Sequence, residues 1–355
     1  MERVETMMET GIGNLGVAAM IAGYAASDDV IVDVSNVKVD FFKSNKERLE
    51  NFISWLLNEK GCAERTFSVH LSFKDTSPLT QQRFECSTIE LSTPALARER
   101  LHCLALSGGL DSLSSFIALK DHKITPLCCF VDYGQAQLEY ERTSLAACKR
   151  KLKIPTVGFT IDLGDVSPKT NTGWPIGGFK IPARNFTILA LMDRFIDVDR
   201  SVEGPRSLNF GVYAGEIMDK NHDKSRRFFD ECTSIFSEYN GVKTVIHSPV
   251  AHMSKVEQLR FLEKHHILDF ALANCRTCTS ATKEPCLDCK PCFNRMLSVY
   301  RAGFGDRVRP GQWNGLARSN IVKEYESHVD DYTGERKDDI QKFLAFLVDS
   351  LYESG

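Results

Sequence analysis

From Leu101 onward one pattern repeats: an apolar run, a turn, then residues at helical spacing. HCLAL (102–106) passes through glycines into SLSSFIALK, ITPLCCFVD into a polar helix reaching Lys151, and TVGFTID towards a helix starting near Arg184. SLNFGV is followed by a helix around Arg226 to Ser237 and then by SKVEQLRFLEKHH. Such alternation predicts an α/β fold, a doubly wound parallel sheet whose ligands bind beyond the carboxyl ends of the strands.

The first hundred residues read differently. VIVDVSNVKVDFF (30–42) alternates at the period of a strand, ERLENFISWLLNEKG (47–61) has helical spacing, and TFSVHLSF and RFECSTIEL alternate again. This predicts a small accessory α+β domain over 1–100. With 355 residues, 43% of them hydrophobic, the chain exceeds what one core usually supports, about 250 to 300 residues. The expected division is 1–100, 101–302 and a tail over 303–355, polar until the closing amphipathic helix DDIQKFLAFLVDSLYES.

A net charge of −3 gives no global reason to expect nucleic acid or an acidic membrane as partner. The apolar stretch Gly11 to Ala26 follows the acidic MERVETMMET and is broken by glycines and Asn14. It predicts neither a signal peptide nor a membrane span, so the chain is expected in the cytoplasm. There the twelve cysteines are expected mostly as free thiols, and a tight cluster of them reads as a metal site.

Two glycine-rich segments compete for a nucleotide. Gly11, Gly13 and Gly16 have the spacing of a dinucleotide fingerprint, but the ten residues before them are charged and strandless, so the segment reads as a flexible glycine-rich stretch. SGGLDS (107–112) has the right surroundings: an apolar run enters it and a helical run leaves it. Gly108 and Gly109 let backbone amides face a diphosphate or triphosphate, and the helix N-terminus adds its partial positive charge. Ser107 and Ser112 can donate hydroxyl hydrogen bonds to phosphate oxygens. Asp111 would repel phosphate unless a divalent cation lies between them, which points to magnesium handling or to shaping of the loop. The Lys-Ser/Thr ending of a Walker loop is missing, and SGGxDS between strand and helix is the signature of PP-loop enzymes that split ATP into AMP and pyrophosphate.

Five cysteines fall in CRTCTSATKEPCLDCKPC (275–292). Cys286, Cys289 and Cys292 form C-x-x-C-x-x-C, and Cys275 or Cys278 would complete four thiolates. Zinc is the default for such a closed site, which holds a fold together, and an iron–sulfur centre is the competing reading. The remaining cysteines, Cys128 and Cys129 among them, read as ordinary buried residues.

With these pieces in place the chain from about 102 to 301 resembles the QueC family, the 7-cyano-7-deazaguanine synthases. The likeness runs in order through ALSGGLDS, FVDYGQAQLEYERTSLAACKRKLKI, IPARNFTILAL, IHSPVAHMSK and NCRTCTSATKEPCLDCKPCFNR. It implies a PP-loop ATP pyrophosphatase fold of the adenine nucleotide alpha-hydrolase-like type with a C-terminal zinc-binding segment. It also implies an ATP-dependent, adenylate-forming C–N ligase that activates the carboxylate of 7-carboxy-7-deazaguanine or a related 7-deazapurine. In the family ammonia then gives the amide, and a second ATP drives dehydration to the nitrile.

Carried over by position, Ser107, Gly108, Gly109, Leu110, Asp111 and Ser112 would bind the ATP phosphates, with Mg2+, and Asp132 would lie beside the nucleotide. Arg184 and Asn185 in PARN would border the active centre and, with Asp111 and Lys255, form the catalytic group; Lys255 would also reach the phosphates. Cys275 follows the family's first zinc-ligand position slightly better than Cys278, although its spacing to Cys286 is slightly long. The resemblance further implies a homodimer.

Three departures stand out. The family's loop after the fourth strand, approximately GVNxxDYSGYPDCR, is here GVYAGEIMDKNHDKSR, leaving Glu216, Asp219, His222, Asp223 and Arg226 as polar candidates. About a hundred residues precede the usual start, and about fifty follow the usual end. QueC-like proteins with added domains occur in anti-phage defence gene clusters, which implies that the activated acyl group passes to an amine of a partner protein encoded nearby. A conventional synthase using ammonia is the alternative. From another class comes a catalytically silent zinc or nucleotide-binding module, against which the intact SGGLDS, PARN and SK segments speak.

Overall fold

In a computed structural model the chain is described over residues 2–7, 11–22, 29–33, 38–58, 68–72, 83–89, 101–135, 137–161, 183–195, 204, 206–217, 222–278 and 284–352. Among these residues the strands are β1 (Glu2–Met7), β2 (Asp29–Asp33), β3 (Ser68–Ser72), β4 (Arg83–Ile89), β5 (His102–Ala105), β6 (Leu127–Asp132), β7 (Thr156–Ile161), β8 (Arg206–Asn209) and β9 (Thr244–His247). They form one sheet in the order β3-β2-β1-β4-β7-β6-β5-β8-β9, parallel throughout except for the antiparallel pair β4–β7.

The helices are α1 (Gly11–Ala22), α2 (Val39–Ser44), α3 (Lys46–Leu57), α4 (Leu110–Asp121), α5 (Leu138–Leu152), α6 (Arg184–Asp193) and α7 (Arg226–Asn240). They continue with α8 (Lys255–Lys264), α9 (Leu268–Asn274), α10 (Lys290–Ala302), α11 (Pro310–Ala317), α12 (Asn320–Ser327) and α13 (Gly334–Tyr352). The doubly wound α/β fold expected from the alternation is present. β6 is buried from end to end, as a strand covered on both faces must be. Leu104, Cys128 and Phe130 turn to the core under α4, α5 and α8, while Cys103, Cys129 and Val131 turn to the core under α6 and α7. The strand order reverses at β5, between β6 and β8, and the crevice at such a switch point is where open α/β sheets bind ligands.

The strands of the first hundred residues continue this sheet through the β4–β7 pair. Two expectations are corrected there. The strand over 30–42 ends at Asp33, and Val39–Ser44 is helical. The GIGNLG stretch is a helix entered from a strand, with Ile12, Leu15, Val17, Ala18, Ala19 and Met20 at most 1% exposed. Its glycine serves close packing: a Cβ on Gly16 would lie 2.7 Å from that of Ala190, and the Thr187 hydroxyl donates to the Gly16 carbonyl at 2.7 Å.

The tail carries more than its closing helix. α12 and α13 pack on α10, where Phe293 stacks on Tyr325 with centroids 3.8 Å apart and Phe343 meets Phe293 edge-on, and α11 packs on α13 through Trp313. No helix among the described residues is long and apolar enough to cross a membrane.

Candidate active site

β5 delivers the chain into the glycine turn, and α4 carries it away. Gly108 has φ +75°, and a Cβ there would lie 2.6 Å from the Ser144 Cβ and 3.1 Å from the Glu141 carbonyl, so α5 leaves room for glycine alone. Gly109 is the N-cap of α4 and supplies no side-chain acceptor, so the first-turn amides stay available to a ligand. The Ser112 hydroxyl donates to the Gly109 carbonyl at 3.0 Å, and Ser107 Oγ lies 3.4 Å from Ser112 Oγ.

A cavity of about 430 Å³ opens over this turn at the carboxyl ends of β5, β6 and β8. Ser107 to Ser112, Arg184, Asn185 and Lys255 all line it, so the structure gathers most of the residues singled out from the sequence. Lys255 opens α8, whose N-cap Ser254 forms a capping box with Glu257. Its ammonium pairs with the Asp111 carboxylate and stands 4.4 Å over the Tyr213 ring. The end of β8 presses on the same place, for a Cβ on Gly211 would meet the Asp111 backbone at 2.6 Å.

Asp132 does not line the cavity. Its carboxylate accepts from the Gly134 amide at 2.9 Å and from Arg142 at 2.7 Å, so it caps the end of β6. Tyr133, Gln135, Tyr140 and Glu141 line the cavity in its place. Gln135 donates to Glu141 at 2.6 Å and accepts from the Tyr133 amide at 2.9 Å. Burial pushes the Glu141 carboxyl up to about 7, against the opposing pull of Gln135 and Arg184. Burial alone would lower Arg184, but Tyr133, Asp223 and Glu141 outweigh it and raise the guanidinium's pKa.

The divergent loop takes part as well. Glu216 lines the cavity and accepts from Lys224 at 2.8 Å; the Asp223 carbonyl accepts from Asn185 at 3.1 Å. His222 faces Trp55 of α3, Arg226 begins α7, and Asp219 lies outside the described residues.

At the edge of the cavity, which Cys278 itself lines, the Sγ atoms of Cys278, Cys286, Cys289 and Cys292 lie within 4.8 Å of one another. A tetrahedral zinc with Zn–S near 2.3 Å wants sulfurs about 3.8 Å apart, so the donor set fits. The Cys286 amide donates to Cys278 Sγ and the Asp288 amide to Cys286 Sγ, each at 3.4 Å, as thiolates require. Burial, together with Cys278 and Cys289, pushes the Cys286 thiol up to about 12, a shift that a divalent cation among the sulfurs would reverse. Cys278 therefore completes this group, and Cys275, the first choice from the sequence, sits outside it with its thiol against Cys148.

A family model, Queuosine biosynthesis protein QueC, matches residues 102–302, more than half of the chain. The chain belongs to the QueC family. The match begins on β5, ends on the last residue of α10 and takes in both the glycine turn and the four-cysteine group, which could hold a metal such as zinc. QueC membership supports an ATP-dependent enzyme of the C–N ligase type that acts on 7-deazapurines. The search of curated proteins returned no match to the chain.

Proposed function

We propose that this QueC-family chain adenylates the carboxylate of 7-carboxy-7-deazaguanine and passes the acyl group to an amine of a partner protein in an anti-phage defence system. The observation that carries the first half is the glycine turn at the switch point, with its helix amides open and the Lys255–Asp111 pair beside it. A carboxylate is a poor electrophile. Its oxygen attacks the α-phosphorus of ATP, the bond to the bridging oxygen breaks, and pyrophosphate leaves with the electron pair. The first amides of α4, Ser107, Ser112 and Lys255 receive the charge that develops on that group. Magnesium accompanying ATP would be held by Asp111 and would neutralise the same charge. A 7-deazaguanine presents two coplanar donors, N1–H and the 2-amino group, which Glu141 can accept together in its ionised form; Arg184 can pair with the substrate carboxylate.

The divergent loop and its attachment to the first hundred residues support a changed acceptor. An amine attacks the acyl carbon, AMP leaves, one proton is released, and a stable amide remains without a second ATP. The family match itself supports the second reading, capture by ammonia and dehydration to the nitrile. The two readings part under mass spectrometry of a reaction holding ATP, magnesium, the carboxy-deazaguanine and the products of neighbouring genes. An ATP-dependent mass increase on one of those proteins supports the protein acceptor. Nitrile formed on adding ammonium, with every protein unchanged, refutes it.

A further inference from the structure

One guanidinium on the cavity wall has a buried nitrogen that no described residue satisfies. Arg276 follows α9, and its carbonyl oxygen would lie 3.3 Å from a Cβ built on Gly109, so its backbone abuts the glycine turn. Its guanidinium lies 3.9 Å over the ring of Tyr140, on the turn of α5 that packs against Gly108. The neighbouring Arg295 is satisfied, donating to the carbonyls of Leu272, at 2.7 Å, and Cys275. Arg276 Nη1 and the Tyr140 hydroxyl are buried and meet no hydrogen-bond partner among the described residues. A buried donor without an acceptor is costly, and a charged one beside a second guanidinium more so. An anion in the cavity would relieve both, and both side chains line that cavity together with Ser107 and Gly109.

We propose that Arg276 is a phosphate-binding residue. Its guanidinium receives the terminal phosphates of ATP and the pyrophosphate that leaves, while Tyr140 fixes its plane and offers its hydroxyl to the same anion. Planar N–H forks suit phosphate oxygens, and an aromatic face steadies the fork. The inference rests on the reading of the cavity as an ATP site and adds a cation that the motif SGGLDS does not contain. It sits in a QueC-like segment that the sequence singles out for its cysteines and not for this arginine.

Isothermal titration of the full-length protein with inorganic pyrophosphate plus magnesium, and separately with AMP, tests it. Arg276→Gln should weaken pyrophosphate about 10- to 100-fold, the worth of a charge-assisted contact, and leave AMP within about twofold. Arg276→Lys should fall between, since it keeps the charge and loses the fork. Bound metal and melting temperature are checked in each variant, because Cys278 is two residues away; if the Gln variant fails these checks, the Lys variant decides. Pyrophosphate affinity unchanged in a folded variant overturns the inference, as does an equal loss for AMP. A wild-type chain that binds neither ligand overturns the ATP-site reading itself.

Discussion

The imidazole of His222 lies flat on the indole of Trp55, with centroids 4.6 Å apart and planes 15° from parallel, and its Nδ1 is 2.8 Å from the Trp55 carbonyl oxygen. Arg227 covers the indole at 4.4 Å. Helix α3, from the segment preceding the QueC match, thereby holds the loop whose next residue, Asp223, accepts from Asn185 in the cavity. Trp55→Ala removes a stacked pair and a cation–π contact, together about 1 to 2.5 kcal/mol. The expected outcome is a kcat/KM lower by about tenfold with the metal content unchanged. Activity equal to wild type would show that the loop does not depend on α3.

Gly16 lets α1 approach α6 closely. Gly16→Ala drives a Cβ to 2.7 Å from that of Ala190 and should cost about 1 to 3 kcal/mol through overpacking, seen as a lower midpoint in urea unfolding. An unchanged midpoint would mean that the two helices do not meet this way.

The Lys255–Asp111 ion pair predicts that the two residues act as a unit. Lys255→Ala exposes an unbalanced carboxylate to the incoming phosphates and removes a cation, with an expected loss in kcat of about 10² to 10³. Because the two effects share one ion pair, Asp111→Asn added to Lys255→Ala should cost much less than Asp111→Asn does alone. Additive losses in the kinetic cycle would separate their roles.

Glu141 sets a pH dependence. Its carboxyl titrates at about 7 in the fold and at about 4.5 when unperturbed, so the folded chain keeps a proton that the unfolded chain has lost. The stabilisation is fully present below about pH 4.5 and lost as pH rises through about 7. Glu141→Gln cannot ionise. Between about pH 5 and 8 the wild-type melting temperature should therefore fall further than that of the variant; parallel curves would contradict the assignment.

For the metal, Cys278→Ser should lose the bound ion and Cys275→Ser should keep it, by elemental analysis of the purified proteins. Chelation should also loosen the tail. The Asp288 carboxylate, inside the cysteine run, accepts from the Ile321 amide at 2.9 Å and from Asn320 at 3.2 Å, which ties α12 to the metal loop. Hydrogen exchange over 310–352 that does not change on chelation would sever that link.

The glycine turn and the cysteine group are legible in the sequence because each is a local pattern: an apolar run, two glycines and a helix, or thiols at fixed spacing. What escapes is set by distant contacts. GIGNLG looks like a flexible stretch until Thr187 and Ala190, far along the chain, are placed against Gly16. β1 is the charged segment ERVETM, whose strand character comes from pairing with β2 and β4. Cys275 and Cys278 are close in sequence and share a loop, and only the fold shows which thiol turns to Cys148 and which to the other sulfurs. Tyr140, Glu141 and Arg276 lie within the QueC-like stretches, but no local pattern singles them out, and their interest comes from the cavity they share.

The most direct measurement is AMP release by the purified full-length protein with ATP and magnesium, with and without 7-carboxy-7-deazaguanine, followed by mass spectrometry. AMP and pyrophosphate that appear only with the carboxylate present are the predicted result. ATP left intact in its presence would contradict the assignment of this cavity to carboxylate adenylation.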